Sequence, residues 1–381
     1  VDPADLPFAA QCTETMTYCY PPQQNMFQFW TNLTIDLYGG YFMTPNGNFT
    51  NGDMGENRGH SGGMYENYYL HIFNNTRRII AQCDASGERG LSGVMRIVQA
   101  YGTLMTTDAY GPIPYSSILS GENEVYFEFD SQKDLYKAML EDLSTAITDI
   151  SAMGADEIAK LKSFDCWCNG DKDLWVKIAN TMKLRMALRL SKRETEAGNA
   201  GMNLKAIATE AAQNTLATVN KDILIDKSLE NEMWLMFNWG DCGFNANLVT
   251  IMSGTKDPRQ PLYMTLNTGD IKNEAGTTTV AANSQYLGIR FASGLPAKPN
   301  SWGNFSGWIQ GNNGSSYSMP LPIMKAAEAY FLLAEAKLRW DIGSESVKNL
   351  YENGIRVSMT NELAYRGAYA GITDYPEGAV D

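Results

Sequence analysis

The sequence predicts a mainly α protein, built from tetratricopeptide-like helix pairs and carrying a loop-rich insertion with short strands. Three observations predict it. Apolar residues recur at spacings of three and four in successive segments between residues 24 and 218. Turn residues then dominate from Val219 to Pro322, with no sustained helical period. Helical spacing returns at Ile323 in an Ala-rich run, Met324 to Ala336, of the kind that closely packed helix pairs use.

Each element follows from its residues. Residues 1–22 read as irregular, closed by Pro21 and Pro22. A helix is predicted over 24–37 from Met26, Phe27, Phe29, Trp30, Leu33 and Leu37. The Gly/Asn-rich stretch Gly39 to Gly63 reads as a long loop, and such loops are often functional. Two helices, Met64 to Cys83 and Glu88 to Met105, are separated by Asp84 to Gly87.

A stiff elbow follows at 108–116. Pro112 and Pro114 fix their own φ, remove two N–H donors and push Gly111 and Ile113 out of the α region. Ser131 with Asp134 forms a capping box for a helix to Ile150, whose apolar face is Leu135, Met139, Leu140, Leu143, Ala146, Ile147 and Ile150. Residues 154–172 read as a loop. Asp173 is the predicted cap of a helix from Leu174 to Lys192 that buries Trp175, Ile178, Ala179, Met182, Met186 and Leu190. Helices over 203–218 and 346–361 and a terminal loop over 367–381 complete the reading. Ala327, Tyr330, Ala334 and Ala336 fit a tetratricopeptide repeat loosely, and a clean 34-residue period is absent. The organisation expected is one domain over 1–381, with a helical body at 64–218 and 323–365 and a variable region at 219–322.

Composition narrows the class. Hydrophobic residues make up 44% and charged residues 19%, so the chain can build a core and is not disordered. A net charge of −13 argues against a nucleic-acid partner and against adhesion to anionic headgroups by charge alone. No run of 18 apolar residues exists to span a membrane. The chain starts at Val1 with no basic or apolar leader, which reads as a processed form. Six cysteines are too few for a disulfide scaffold. Cys12 and Cys19 are placed to close one short loop, and free thiols are the competing reading.

The sequence offers little for catalysis. A Ser/His/Asp arrangement would have to use His60 or His71, and each reads more simply as structural. No GxGxxG, Walker loop or HExxH occurs, and no cofactor or metal site is expected. Asn169 to Asp173 offers oxygen ligands without the EF-hand spacing, so it reads as a turn and cap.

Sugar binding demands less: a flat aromatic for the apolar face of a pyranose, and Asn, Asp, Gln or Arg for its hydroxyls. Loops in three places supply both. Trp302, Asn304 and Trp308 lie in one Gly/Asn-rich run whose setting predicts exposure, Trp239 and Asp241 lie in a second, and Tyr41 in the 39–63 loop. These six are the candidate ligand-binding residues. Packing of loop aromatics onto helices is the competing reading for each. Two other functional classes stay open on the residues alone: a tetratricopeptide-type scaffold that binds only protein, and an (α/α)-type carbohydrate-active enzyme.

Four segments give the chain a family resemblance. They are Asp108 to Tyr115; Phe129 to Tyr136 leading into Leu140 to Ile147; Asn169 to Arg189; and Met319 to Ala336 with Leu350 to Met359 behind it. In this order they resemble the SusD/RagB family of outer-membrane nutrient-binding lipoproteins of Bacteroidetes. The resemblance implies a right-handed helical body of four tetratricopeptide-like pairs and a variable loop-rich part. It implies a surface-exposed, non-enzymatic lipoprotein held by an N-terminal lipid anchor. Such a protein captures an oligosaccharide or other nutrient and passes it to a SusC-like TonB-dependent transporter. It also implies a longer C-terminal part than this chain has. The matching segments are scaffold, so the resemblance transfers no ligand residue.

Overall fold

The computed structural model describes residues 6–20, 24–46, 49, 55, 57–121, 125–225, 232–273, 275–291, 303–309 and 320–380. The chain forms two compact units. One gathers residues 1–20, 65–225 and 322–358; the other gathers 21–64, 226–321 and 359–381.

The first unit is helical. Helices Asn74–Ser86 and Arg89–Tyr110 form a hairpin whose turn is closed by Gly87, with Glu88 N–H donating to the Cys83 carbonyl at 2.9 Å. The second of these runs 22 residues and packs on Gln132–Ser151, which buries the apolar face read from its spacing: Leu135, Met139, Leu140, Leu143, Ala146 and Ile150. Half of the expected capping box forms: Asp134 N–H donates to Ser131 Oγ at 3.2 Å, while the Asp134 carboxylate accepts from the Ser131 hydroxyl at 2.6 Å in place of the Ser131 N–H.

The elbow between these helices is built as its residues dictate. Gly111 takes φ 76° and ψ −130°, a region closed to residues with a Cβ. Ile113–Pro114 pairs antiparallel with Phe129–Asp130, and the Asp130 carboxylate accepts N–H bonds from Tyr115 at 2.9 Å and Ser116 at 2.8 Å. Tyr115 is buried, with its hydroxyl on Gln99. The corner is a scaffold joint.

Helix Lys172–Arg189 is capped by Asp171 rather than Asp173: Asp171 Oδ1 accepts from Asp173 N at 3.0 Å and Leu174 N at 3.2 Å. Asn169 and Gly170, both at positive φ, make the preceding turn. Trp175 is fully buried and stacks on Trp167 with ring centroids 5.3 Å apart. The small residues Ala187, Ala208, Ala211 and Ala336 let helices Lys172–Arg189, Leu204–Ala211 and Ala326–Trp340 meet around Leu184 and Leu188. Arg185 seals one helix pair with a two-pronged bond to Glu328 at 2.6 and 2.7 Å.

The second unit is made of short pieces. Phe42–Met43 pairs with Gly243–Phe244, Met264–Asn267 with Ser306–Trp308, and Ile271–Lys272 with Thr278–Val280. Among the described residues no sheet exceeds two strands.

Several expectations need correction. Residues 8–17 form a helix, because Leu6 and Pro7 supply its N-terminal carbonyls and Gln11, Cys12, Thr15 and Met16 face inward. Residues 155–162 form a helix within the predicted loop. Gln28–Asp36 and Tyr68–Phe73 are wide, π-type turns inside the predicted helices. The helix over 203–218 stops at Ala211 and continues only as 3₁₀ turns, and the final helix runs on to Ala370. Cys12 and Cys19 do not pair: both are buried free thiols, and burial pushes Cys12 up to about 12.

Candidate functional site

The second unit holds a cleft of about 570 Å³ among its described residues. Most of its wall comes from three local structures, with Pro45 and Ile289 added from elsewhere in the unit. Helix Glu232–Asn238 and the turn after it supply Phe237, Asn238 and Trp239; the strand Met264–Asn267 and the residue following it supply Thr265 and Thr268; residues 303–308 supply Phe305 and Trp308.

Register places these residues. Trp308 lies opposite Met264 and Phe42 opposite Phe244, so their rings converge. Trp308 stacks on Phe244 with centroids 5.9 Å apart and planes 14° apart, and Phe237 closes the group at 4.9 Å from Phe244. Behind Trp308, the Arg366 guanidinium lies 4.8 Å from the Tyr263 ring centre and 5.5 Å from that of Trp308, while it pairs with Glu362 at 2.6 Å. Its charge is thereby held by an acid and ring faces in the interior.

A polar layer backs the cleft. Asp241 accepts from Gln28 Nε2 at 3.0 Å and Asn46 Nδ2 at 2.9 Å, and Asn32 Nδ2 donates to Cys242 Sγ at 3.1 Å. Burial pushes the Cys242 thiol well above its ordinary range. One strand crossing is very tight. Ile289, a wall residue, exchanges backbone bonds with Phe244 and Ala246 at 2.7 and 2.8 Å, and a Cβ on neighbouring Gly288 would lie 2.7 Å from the Ala246 backbone.

The structure places the six candidate residues unequally. Trp239 and Trp308 meet in the cleft; Trp239 is 36% exposed and Trp308 only 7%. Asp241 is buried behind the wall, engaged with Gln28 and Asn46. Asn304 donates to the Asp270 carbonyl at 2.8 Å and so ties its own loop. Tyr41 is 53% exposed, and its carbonyl accepts from Asn245. Trp302 lies outside the described residues. Phe237, Thr265, Thr268 and Ile289 were not singled out by the sequence, because a seven-residue helix, a four-residue strand and an isolated bridge are too short for a period that tells which side faces a cleft.

His60 stacks on Phe29 at 4.5 Å and His71 on Tyr18 at 3.9 Å, and burial lowers the basicity of both. Among the described residues no group of three metal-ligating side chains assembles, and no helix is long and apolar enough to cross a membrane.

The family model described as SusD-like, "Susd and RagB outer membrane lipoprotein", matches residues 6–376. Solved structures similar to the chain include a SusD-like protein from Bacteroides thetaiotaomicron, 26% identical over 93% of this chain and 70% of that one, with a TM-score of 0.76. A SusD homologue from Bacteroides ovatus has the same identity, coverages and TM-score. A chitin-binding SusD homologue from Flavobacterium johnsoniae is 24% identical over 96% of this chain and 73% of that one, with a TM-score of 0.77. Comparison with curated proteins gives no significant match. With a family match that runs almost end to end, and a mainly α fold shared with these structures, the chain belongs to the SusD-like family of outer-membrane lipoproteins.

Proposed function

We propose that this protein is a surface-exposed lipoprotein that captures an oligosaccharide without turnover, in the aromatic cleft of the second unit, and delivers it to a SusC-like TonB-dependent transporter. One observation carries the reading. Trp239 offers a partly exposed indole at a cleft whose lining includes the neutral hydrogen-bonding side chains Asn238, Thr265 and Thr268 and the ring of Phe305. An indole face matches the C–H face of a pyranose, and the Asn238 amide can meet its OH groups, joined by the lone pairs of Thr265 and Thr268, whose hydroxyls donate to the Gly307 and Gly303 carbonyls. The cleft volume is in the range of small-ligand sites. Trp308 forms the fixed wall, and Trp302 remains a proposed ligand contact. Asn304 and Asp241 act by holding the loops, and Tyr41 contributes from the rim.

The family match supports the delivery and surface parts of this proposal. The chitin-binding Flavobacterium homologue makes N-acetylglucosamine oligomers the first probe. Trp239→Ala should weaken binding of the recognised oligosaccharide at least about tenfold, a loss of ~1.4 kcal/mol, with little change in melting temperature. Calorimetry of the wild type and the variant across neutral oligosaccharides measures this. Unchanged affinity in the variant would remove the cleft from the proposal. Hydrolysis of a bound oligosaccharide would revive the enzyme reading, and tight transporter binding with no sugar bound would favour the protein-only scaffold.

A further inference from the structure

The first unit carries a cleft of its own, about 500 Å³, at the elbow. Tyr65, Tyr69, Pro114, Ile118 and Phe127 form its apolar surface, with Asn74 and Arg77 on its edge. Tyr65 and Tyr69 have ring centroids 4.8 Å apart with planes inclined at 55°, so they form an open angle and not a closed stack. Tyr110 meets the edge of Tyr65 from behind at 5.5 Å.

Arg77 is unusual in its surroundings. The chain has a net charge of −13, yet among the described residues Arg77 has no carboxylate within ion-pair distance. The side chain is exposed, and its one hydrogen bond runs from Nη1 to the Ile118 carbonyl at 3.2 Å. That bond fixes the guanidinium at the cleft while most of its N–H donors remain available. Asn74, exposed and one helical turn before it on Asn74–Ser86, adds an amide with no partner among the described residues.

We infer that this cleft is a second saccharide site, one for an acidic sugar, with a hexuronate carboxylate on Arg77. The planar fork of a guanidinium matches a carboxylate in two parallel bonds. Asn74 reaches a neighbouring hydroxyl, and the angled tyrosine faces receive the apolar side of the ring. A peptide added as a strand is a poor fit. Pro114 has no N–H, its carbonyl already accepts from the Tyr69 hydroxyl at 2.7 Å, and Ile113–Pro114 is paired with Phe129–Asp130. A nucleic acid needs a cluster of cations, and here there is one. This site is independent of the cleft at Trp239.

The experiment is calorimetric titration of the full chain with trigalacturonate, with neutral galactotriose as the control, at low and moderate salt. Trigalacturonate should bind at least about tenfold tighter than galactotriose, and its affinity should fall as salt rises. Arg77→Gln should lose at least about tenfold in affinity and Arg77→Lys should lose less, since it keeps charge without the fork. Trp239→Ala should leave trigalacturonate binding intact, which separates this site from the other cleft. Asn74→Ala, at an exposed position, supplies a second weakened variant if Arg77→Gln proves unstable. The inference is overturned if trigalacturonate does not bind, if galactotriose binds equally, or if neither Arg77→Gln nor Asn74→Ala changes the affinity. A triglutamate peptide that binds as tightly as trigalacturonate would also overturn it, because recognition would then lie in the charge alone.

Discussion

Asp165 shows how much one carboxylate can organise. It is buried and accepts four N–H groups: Trp167 N at 3.0 Å, Cys168 N at 2.8 Å, Gly170 N at 2.9 Å and Trp175 Nε1 at 2.8 Å. It thereby orders the turn before helix Lys172–Arg189 and holds the stacked tryptophans. Asp165→Ala strands these donors and should cost about 3–5 kcal/mol, read as a drop in the urea midpoint. Asp36 works in the opposite sense. Among the described residues it has no basic partner, and burial raises its carboxyl from its ordinary value to about 7. The folded state then holds this proton more tightly than the unfolded chain does. Its contribution to stability is therefore full below pH 4 and is lost as pH rises to 7, with a slope of at most ~1.4 kcal/mol per unit. Asp36→Asn should flatten that part of the stability profile and raise stability at pH 8, as denaturant titrations across pH will show. The sequence disclosed these residues unevenly. Trp175 was legible as core, since it falls on the apolar face of a long helix, whereas Trp308 was not. Its Gly and Asn neighbours predict an exposed indole, yet pairing of Ser306–Trp308 with Met264–Asn267 turns it inward against Phe244. Which way a three-residue strand points is decided by its partner and leaves no period to read.

At the scale of elements, long helices were legible and their irregularities were not. Spacing located Gln132–Ser151 and Lys172–Arg189 to within a few residues. It missed the π-type turns Gln28–Asp36 and Tyr68–Phe73, because one extra residue in a turn leaves composition untouched and moves the apolar stripe only part-way round. The elbow was legible because Pro restricts the backbone and Gly opens a region that other residues avoid. The cleft wall depends on a subtler element, the close approach of Gly288 to Ala246. Gly288→Ala would set a Cβ 2.7 Å from backbone atoms that have no rotamer through which to yield. The expected outcome is a loss of about 1–3 kcal/mol in stability, with a displaced Ile289 and weaker oligosaccharide binding. Thermal melts paired with calorimetry measure both. Wild-type affinity in this variant would mean that the Ile289 wall does not shape the cleft.

At the scale of the whole molecule, family membership was legible where site geometry was not, and for one reason. Asp108 to Tyr115 and Asn169 to Arg189 are constrained by caps, turns and packing that any such scaffold must keep, so their pattern is recognisable. The cleft is assembled from residues 234–243, 265–268, 289 and 303–308, brought together by pairings that no local pattern encodes. The same geometry makes a prediction that separates the cleft from the rest of this acidic chain. A net charge of −13 should make any charged ligand sensitive to ionic strength. The described lining of the cleft at Trp239, however, contains no carboxylate, histidine or cation, and its one titratable group, the Cys242 thiol, is held neutral by burial. A neutral oligosaccharide bound there gains from ring contact and neutral hydrogen bonds, which salt screens little. Its affinity should therefore change less than about twofold between 20 and 500 mM salt. It should also stay flat from pH 5.5 to 8.5, even while Asp36 shifts the stability of the fold over part of that range. Isothermal titrations on this grid provide the check. A steep salt or pH dependence for a neutral sugar would place a charged side chain in the contact and move the site away from Trp239.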